Sequence, residues 1–263
     1  MTLILNNDDV KSVLTMKMTM EALQDAYEQL VKGTAVTGPR YNVRIPTREP
    51  ELTYAWGSMD GGSSESEYFA IRMKSDVLYE HSYSGVRTRE KYCVQPGLFC
   101  GLVLLFNVRN GEPLALLNDG YLQHMRVGAD GGVGAGYMAR ENASVVGMLG
   151  SGGMARSHAE AFCLARNIRR IQVYSPTKDH RETYAQEVGA KLGIEVVACD
   201  QARDVYRGAD ILASCTDSAE PVIVSDWLEE GTHITNIGGG LDDATLKRID
   251  RSLRFGTAPA PVG

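Results

Sequence analysis

The sequence predicts an α/β protein, with a Rossmann-type, doubly wound parallel sheet in its C-terminal half and an N-terminal α+β domain before it. Three observations carry this expectation. From residue 145 onward, short apolar runs alternate with stretches of helical period, the signature of a parallel sheet covered by helices. The first of those runs, Val145–Leu149, feeds straight into Gly150-Ser151-Gly152-Gly153-Met154-Ala155, a G-x-G-x-x-A turn that opens a helix. Upstream, Leu102–Asn107 and Pro113–Leu117 flank Arg109-Asn110-Gly111, and Asn-Gly between apolar runs signals a β-hairpin.

In chain order, a helix is expected from Asp8, a natural N-cap, through Met20–Tyr27 to a stop at Gly33. Extended segments follow as far as the hairpin. The stretch 126–139 has Gly or Ala at most positions after Val127, which allows a tightly packed connecting helix at a domain junction, so domains are expected at 1–125 and 126–263. Strands are then expected at Val145–Leu149, Ile171–Ser175, Ile194–Ala198, Ile211–Cys215, His233–Ile237 and Ser252–Phe255. Helical segments at Met154–Arg166, Asp179–Leu192, Gln201–Arg207, Ser225–Glu229 and Asp243–Ile249 connect them, which makes six strands and five crossovers. The final stretch 256–263, rich in Pro, Ala and Gly, reads as a linker.

Composition narrows the function classes. A chain of 263 residues with net charge −6 and no cluster of Lys and Arg lacks the basic stripe that nucleic acid requires. It has no run of about 18 apolar residues and no charged leader at its start, so no membrane association is expected, and a cytoplasmic location is. The five cysteines, Cys93, Cys100, Cys163, Cys199 and Cys215, form no C-x-x-C pair and mostly sit in apolar runs, which predicts reduced, buried thiols and no metal site.

The G-x-G-x-x-A turn is a dinucleotide grip. Gly150 permits the tight turn, Gly152 lets backbone approach a pyrophosphate, and Ala155 allows helix to pack closely on strand, with Ser151, Gly153 and Met154 completing the loop. At the end of the second strand, where NAD-preferring units carry an acidic residue, stands Ser175, followed by Thr177, Lys178 and Arg181. Hydroxyls and cations there suit a 2′-phosphate, so NADP is expected as cofactor, with NAD as the other possibility. Cys215 and Thr216, at the end of the fourth strand, are expected to border the cofactor. A small carboxylate substrate needs a bidentate cation, and Arg40, Arg44, Arg72, Lys74 and Arg126 lie near expected strand ends in the first half. His124 and His233, with no visible partner, default to structural roles.

Together, these segments resemble the ornithine cyclodeaminase and mu-crystallin family over nearly the whole chain. The resemblance rests on Gly38-Pro39-Arg40, 70–76, Gly111–Ala115, Asp119–Arg126, Gly150–Ala155, Tyr174–Thr177, Gly208–Ile211 and Trp227–Ile234. It implies a homodimer formed through the N-terminal domain, and a Rossmann domain that holds NAD or NADP. It also implies a carboxylate clamp made by Arg40, by a lysine in the region of Arg72 or Lys74, and by Arg126. Strand alignment puts Arg72 at the lysine position. Gly240 stands where the cyclodeaminases carry an aspartate, with Asp242 and Asp243 nearby. Relatives also run further, with a C-terminal segment that packs back on the first domain, which is expected to be absent here.

Three functions follow. The first is an NAD(P)-dependent reductase of imines, acting on a cyclic ketimine carboxylate or on the imine of a 2-oxo acid and an amine. Arg40, Arg72 and Arg126 would clamp the carboxylate, with Lys74 or a water as proton donor and Arg72 beside it at the reacting centre. The second is the cyclodeaminase itself, against which Ser175 and Gly240 both argue. The third is a cofactor-loaded binding protein of the mu-crystallin type, which fold alone cannot separate from an enzyme.

Overall fold

The computed structural model describes residues 1–83, 85–92, 100–253 and 255. Among these the chain divides into two compact units, one of residues 1–80, 90–126 and 255, the other of residues 81–89 and 127–253.

The first unit is built on an eight-stranded mixed sheet. Strand β1 (Leu3–Leu5) leads into two helices, α1 (Asn7–Val13) and α2 (Met16–Lys32). The single helix expected from Asp8 to Gly33 is therefore interrupted, and its cap lies two residues earlier. The Asn6 side chain accepts from the amides of Asp8 and Asp9 while Asp9 accepts from the Asn6 amide, a reciprocal capping box. Leu14 turns extended, and Thr15 caps α2 by accepting from the Met18 amide. Gly33 ends α2 in the left-handed conformation expected of a C-terminal glycine, at φ 77°.

Strands β2 (Ala35–Thr37), β3 (Tyr41–Pro46), β4 (Thr53–Ser63), β5 (Tyr68–Tyr83), β6 (Val86–Tyr92), β7 (Cys100–Asn107) and β8 (Pro113–Asn118) complete this sheet. Its order is β1-β8-β7-β5-β4-β2, with β3 also on β4 and β6 also on β5. Long β5 is the spine, pairing antiparallel with β4 on one side and with β7 on the other. The expected Asn-Gly hairpin joins β7 to β8, with Gly111 at φ 73°. Strand alternation divides β5 sharply: Phe69, Ile71 and Met73 point to one face, and Arg72, Lys74 and Asp76 to the other.

Helix α3 (Gly120–Met138) begins earlier than the expected connecting helix and covers it up to Met138. The second unit holds strands β9 (Val145–Leu149), β10 (Arg170–Tyr174), β11 (Glu195–Ala198), β12 (Ile211–Ser214) and β13 (His233–Asn236). All are parallel, in the order β11-β10-β9-β12-β13. This is the doubly wound arrangement: the chain builds outward from β9 through β10 to β11, then crosses back to lay β12 on the other side of β9. Helices α4 (Gly153–Ala165) and α5 (Lys178–Leu192) form as expected, whereas 202–206 and 225–227 are short 3-10 turns. Val146, Met148, Ile171, Val173, Ile211 and Ala213 are fully buried, and they pack with Phe162 of α4 and Tyr184 of α5. Strands buried on both faces cannot alternate, which is why their sequences read as continuous apolar runs.

The sheet has five strands rather than six. Ser252, Leu253 and Phe255 form no strand, and Arg254 lies outside the described residues, as do the linker-like 256–263 and Cys93. A short helix α6 (Asp243–Leu246) stands where a longer one was expected. Among the described residues, no helix is long and apolar enough to cross a membrane, and no group of three His, Cys, Asp or Glu is placed to hold a metal ion.

Candidate functional site

The open end of the second unit's sheet is where β9 meets β12, the point at which the strand order reverses. In open α/β sheets this switch point is where ligands bind. Gly150 follows β9 at φ 108°, and a Cβ placed on it would lie 2.1 Å from the carbonyl oxygen of Cys215. Cys215 continues β12, so the two expected cofactor-side segments, 150–155 and 215–216, do converge. Gly238 comes as close from β13, where a Cβ would lie 1.8 Å from the Thr216 carbonyl oxygen. Burial pushes the Cys215 thiol strongly up, so it is an inert neutral wall.

Gly152 is different. Among the described residues a Cβ there would meet nothing within 4 Å, so none of their contacts demands a glycine at this position. It caps α4 without a side-chain hydrogen bond, which leaves the first amides of that helix for an outside acceptor. Gly153 opens the helix, Met154 packs partly buried on the core, and Ala155 is wholly buried, its carbonyl accepting from the Tyr184 hydroxyl at 3.1 Å. Arg156 braces the loop from below. Its Nη1 donates to the carbonyls of Ser151 and Gly152, while Nε and Nη2 hold Glu187. Nothing in the G-x-G-x-x-A pattern marks this arginine.

The second-strand group divides in two. The Ser151 hydroxyl donates to that of Ser175 at 2.9 Å, which ties the glycine-rich loop to the end of β10. Thr177 caps α5 without a side-chain bond, and Lys178 lies exposed beside Glu182 at 3.6 Å. Arg181, in contrast, is only 7% exposed. Its guanidinium donates to the Ser175 carbonyl at 3.1 Å and to Asp200 at 2.9 Å, so it shapes the loop from inside. Of the expected cofactor-side cations, Lys178 is the exposed one.

In the first unit, Arg72 and Lys74 share one face of β5. Arg72 donates through Nε to Asp119 at 2.6 Å, through Nη2 to the same carboxylate, and through Nη2 to Gln123 at 2.7 Å. Asp119 is 1% exposed. Gln123 and Arg126, three residues apart, share a face of α3, which relates Arg126 to Arg72. Lys74 reaches Asp76 at 3.2 Å. Two glycines flank Lys74 in register, Gly57 on β4 and Gly101 on β7. A Cβ on Gly57 would lie 2.8 Å from the Lys74 side chain, and one on Gly101 2.6 Å from the Asp119 carboxylate. Arg40 is half-buried, and its Nε is a buried donor with no partner among the described residues. Arg44 is exposed on β3. Asp76, Asp119 and Gln123 give no local signal as partners, because their significance lies in pairings across strand and helix.

Both expected structural histidines are held neutral. Burial lowers the His124 pKa against the opposing pull of Asp119, and burial with nearby Arg166 pushes His233 down to about 4. Gly240, where the resemblance placed an aspartate, is left-handed at φ 67°, and Asp242 caps α6 by accepting from the Thr245 amide at 2.7 Å.

Comparisons with known proteins give the family and the fold. The model of the ornithine cyclodeaminase/mu-crystallin family matches residues 70–252. A Delta(1)-pyrroline-2-carboxylate reductase of Bacillus cereus is 35% identical over 138 residues, which are 52% of this chain and 42% of that protein. The matched stretch is thus less than half of that relative's length. An uncharacterised cyclodeaminase of Sinorhizobium fredii is 31% identical over 258 residues, covering 94% of this chain and 73% of the relative. The structure of Thermococcus litoralis Delta(1)-pyrroline-2-carboxylate reductase in complex with NADH and L-proline superposes with a TM-score of 0.78 at 27% identity, covering 94% of this chain and 74% of that one. With its parallel sheet, glycine-lined switch point and family match over 70–252, the chain belongs to the ornithine cyclodeaminase/mu-crystallin family.

Proposed function

We propose that this protein is an NAD(P)-dependent oxidoreductase that reduces imines or ketimines of small 2-oxo or cyclic imino carboxylates. The observation that carries the reading is the start of α4, where uncapped amides and a glycine with open space around it stand at the switch point of an all-parallel sheet. That arrangement suits a pyrophosphate: Gly150–Ala155 would hold it, with Cys215 and Thr216 alongside. When bound, the nicotinamide supplies hydride chemistry to an electrophilic carbon. The N-terminal unit supplies cations for a carboxylate, Arg40, Arg72 and Arg126, and Lys74 carries ammonium protons. NADP is favoured over NAD because Lys178 is exposed beside a second strand that is followed by Ser175 in place of a carboxylate. A homodimer formed through the N-terminal domain and a cytoplasmic location complete the proposal. The relatives named as pyrroline carboxylate reductases support the substrate class.

The cyclodeaminase reading is supported by the Sinorhizobium relative's name and weakened by Gly240, which places no carboxylate at that strand end. A binding protein of the mu-crystallin type is the third reading.

The test follows nicotinamide absorbance with NADPH or NADH against cyclic imino carboxylates and against 2-oxo acids with ammonia or methylamine, with ornithine and NAD in parallel. Steady oxidation of NADPH by one imine class supports the proposal. Ammonia released from ornithine without imine reduction replaces it with the cyclodeaminase, and tight cofactor binding with neither reaction replaces it with the binding protein.

A further inference from the structure

Two cations share the polar face of β5, and the structure treats them differently. Arg72 commits Nε and Nη2 to Asp119 and Gln123, both on or beside α3. It is thereby held in the scaffold, and among the described residues Nη1 is the one guanidinium nitrogen with a free donor pair. Lys74, two residues along, makes a single contact among the described residues, to Asp76 at 3.2 Å. An ammonium has three donors, so two remain for a ligand.

Asp76 is 5% exposed, and the Lys74 side chain 22%. The lysine stem lies over Gly57, where any side chain would collide with it at 2.8 Å, and the Asn42 Oδ1 lies 3.1 Å from the same point. A long, flexible side chain is thus guided by a missing side chain on one strand and tethered at its tip by a carboxylate on its own. Untethered, it would spread over many rotamers, and fixing it has an entropic cost that a tether meets in advance.

Resting on the reductase reading, in which Lys74 presents protons to the substrate, we propose that Asp76 is the positioning residue for Lys74 and that Lys74 is the proton-presenting cation of this strand, while Arg72 keeps Nη1 for the substrate carboxylate. Asp76 touches no substrate. It fixes where the ammonium stands.

The test is a double-mutant cycle on the full chain with Asp76→Asn, Lys74→Met and the pair. Two readouts are taken: kcat/KM for Δ1-pyrroline-2-carboxylate with NADPH, and calorimetric affinity of the NADPH-loaded protein for L-proline. Asp76→Asn keeps shape and one acceptor oxygen, and an unchanged melting temperature and KM for NADPH verify that it folds. Expected is a loss on the order of tenfold in kcat/KM and in L-proline affinity for Asp76→Asn. Lys74→Met loses on the order of a hundredfold in kcat/KM, with no further loss in the double variant. A full-sized effect of Asp76→Asn in the Lys74→Met background, or none in the wild-type background, overturns the proposal. L-proline binding that shows the same coupling without any turnover upholds the positioning role and sinks the reductase reading. Neither binding nor turnover in the wild type overturns both.

Discussion

The carbonyl oxygen of Cys215 occupies the place where a side chain on Gly150 would begin, 2.1 Å from the position of its Cβ. Two strands, β9 and β12, are thereby brought together at their open ends with backbone against backbone. The contact explains why one glycine of the loop is a packing requirement while its neighbour, Gly152, is not.

Gly150→Ala and Gly152→Ala should therefore separate folding from binding. The first adds a clash and an unfavourable φ, a strain of about 1–3 kcal/mol before any clash is counted, and should lower the melting temperature. The second meets no protein atom within 4 Å and should melt as wild type while weakening dinucleotide binding about tenfold or more. Thermal melts and titration of NADPH fluorescence read the two effects. Equal dinucleotide affinity in Gly152→Ala and wild type would remove the phosphate-loop assignment.

Asp119→Asn should unfold the protein more easily. The variant leaves the Arg72 guanidinium, whose side chain is 14% exposed, without its charge partner. Breaking such a pair from one side costs about 3–5 kcal/mol, which urea denaturation measures directly. Full stability in this variant would show that the pair is incidental.

Lys178→Glu tests the choice of cofactor. An exposed cation exchanged for a carboxylate should repel a 2′-phosphate and raise the KM for NADPH at least about tenfold, with little change for NADH. Arg181→Ala should instead lower thermal stability, because that guanidinium is spent on the Ser175 carbonyl and Asp200. A Lys178→Glu enzyme that treats the two cofactors as the wild type does would withdraw the NADP preference.

Acid should weaken the fold through His158. Burial pushes its pKa down to about 4, with the bond to the Met154 carbonyl a smaller opposing effect, and its Nε2 is buried without a partner among the described residues. A Cβ on Gly131 would lie 2.5 Å from the ring, so the imidazole is closely packed. The unfolded chain binds a proton near pH 6.5 and the folded one resists until about 4. Stability is therefore complete above pH 6.5, declines as pH falls from there, and levels off below about 4, by a maximum of about 3 kcal/mol. His158→Gln should flatten that decline between pH 7 and 5 in denaturant titrations. An unchanged slope would assign acid sensitivity elsewhere, with His233, also pushed to about 4, the next group to replace.

What was legible in the sequence was local. Val145–Leu149 emerged with its expected bounds, the Asn110-Gly111 hairpin formed, and Gly33 ended its helix, because each depends on neighbours within a few residues. The start of the first helix was misplaced by two residues because three polar residues in a row, Asn6 to Asp8 with Asn7 between, can all cap. Only the reciprocal bond between Asn6 and Asp9 decides among them. Arg181 read as a phosphate ligand from its place after β10, yet the fold turns it inward.

The sequence by itself determined the sheet class and the place of the glycine turn that follows β9, since apolar runs buried on both faces and a glycine in the left-handed region are local requirements. Tertiary structure alone decided which cations are available. Arg72 meets Asp119 across 47 positions of chain, and Lys74 lies over Gly57 on the neighbouring strand. Such pairings are set by register and burial, which no local pattern encodes.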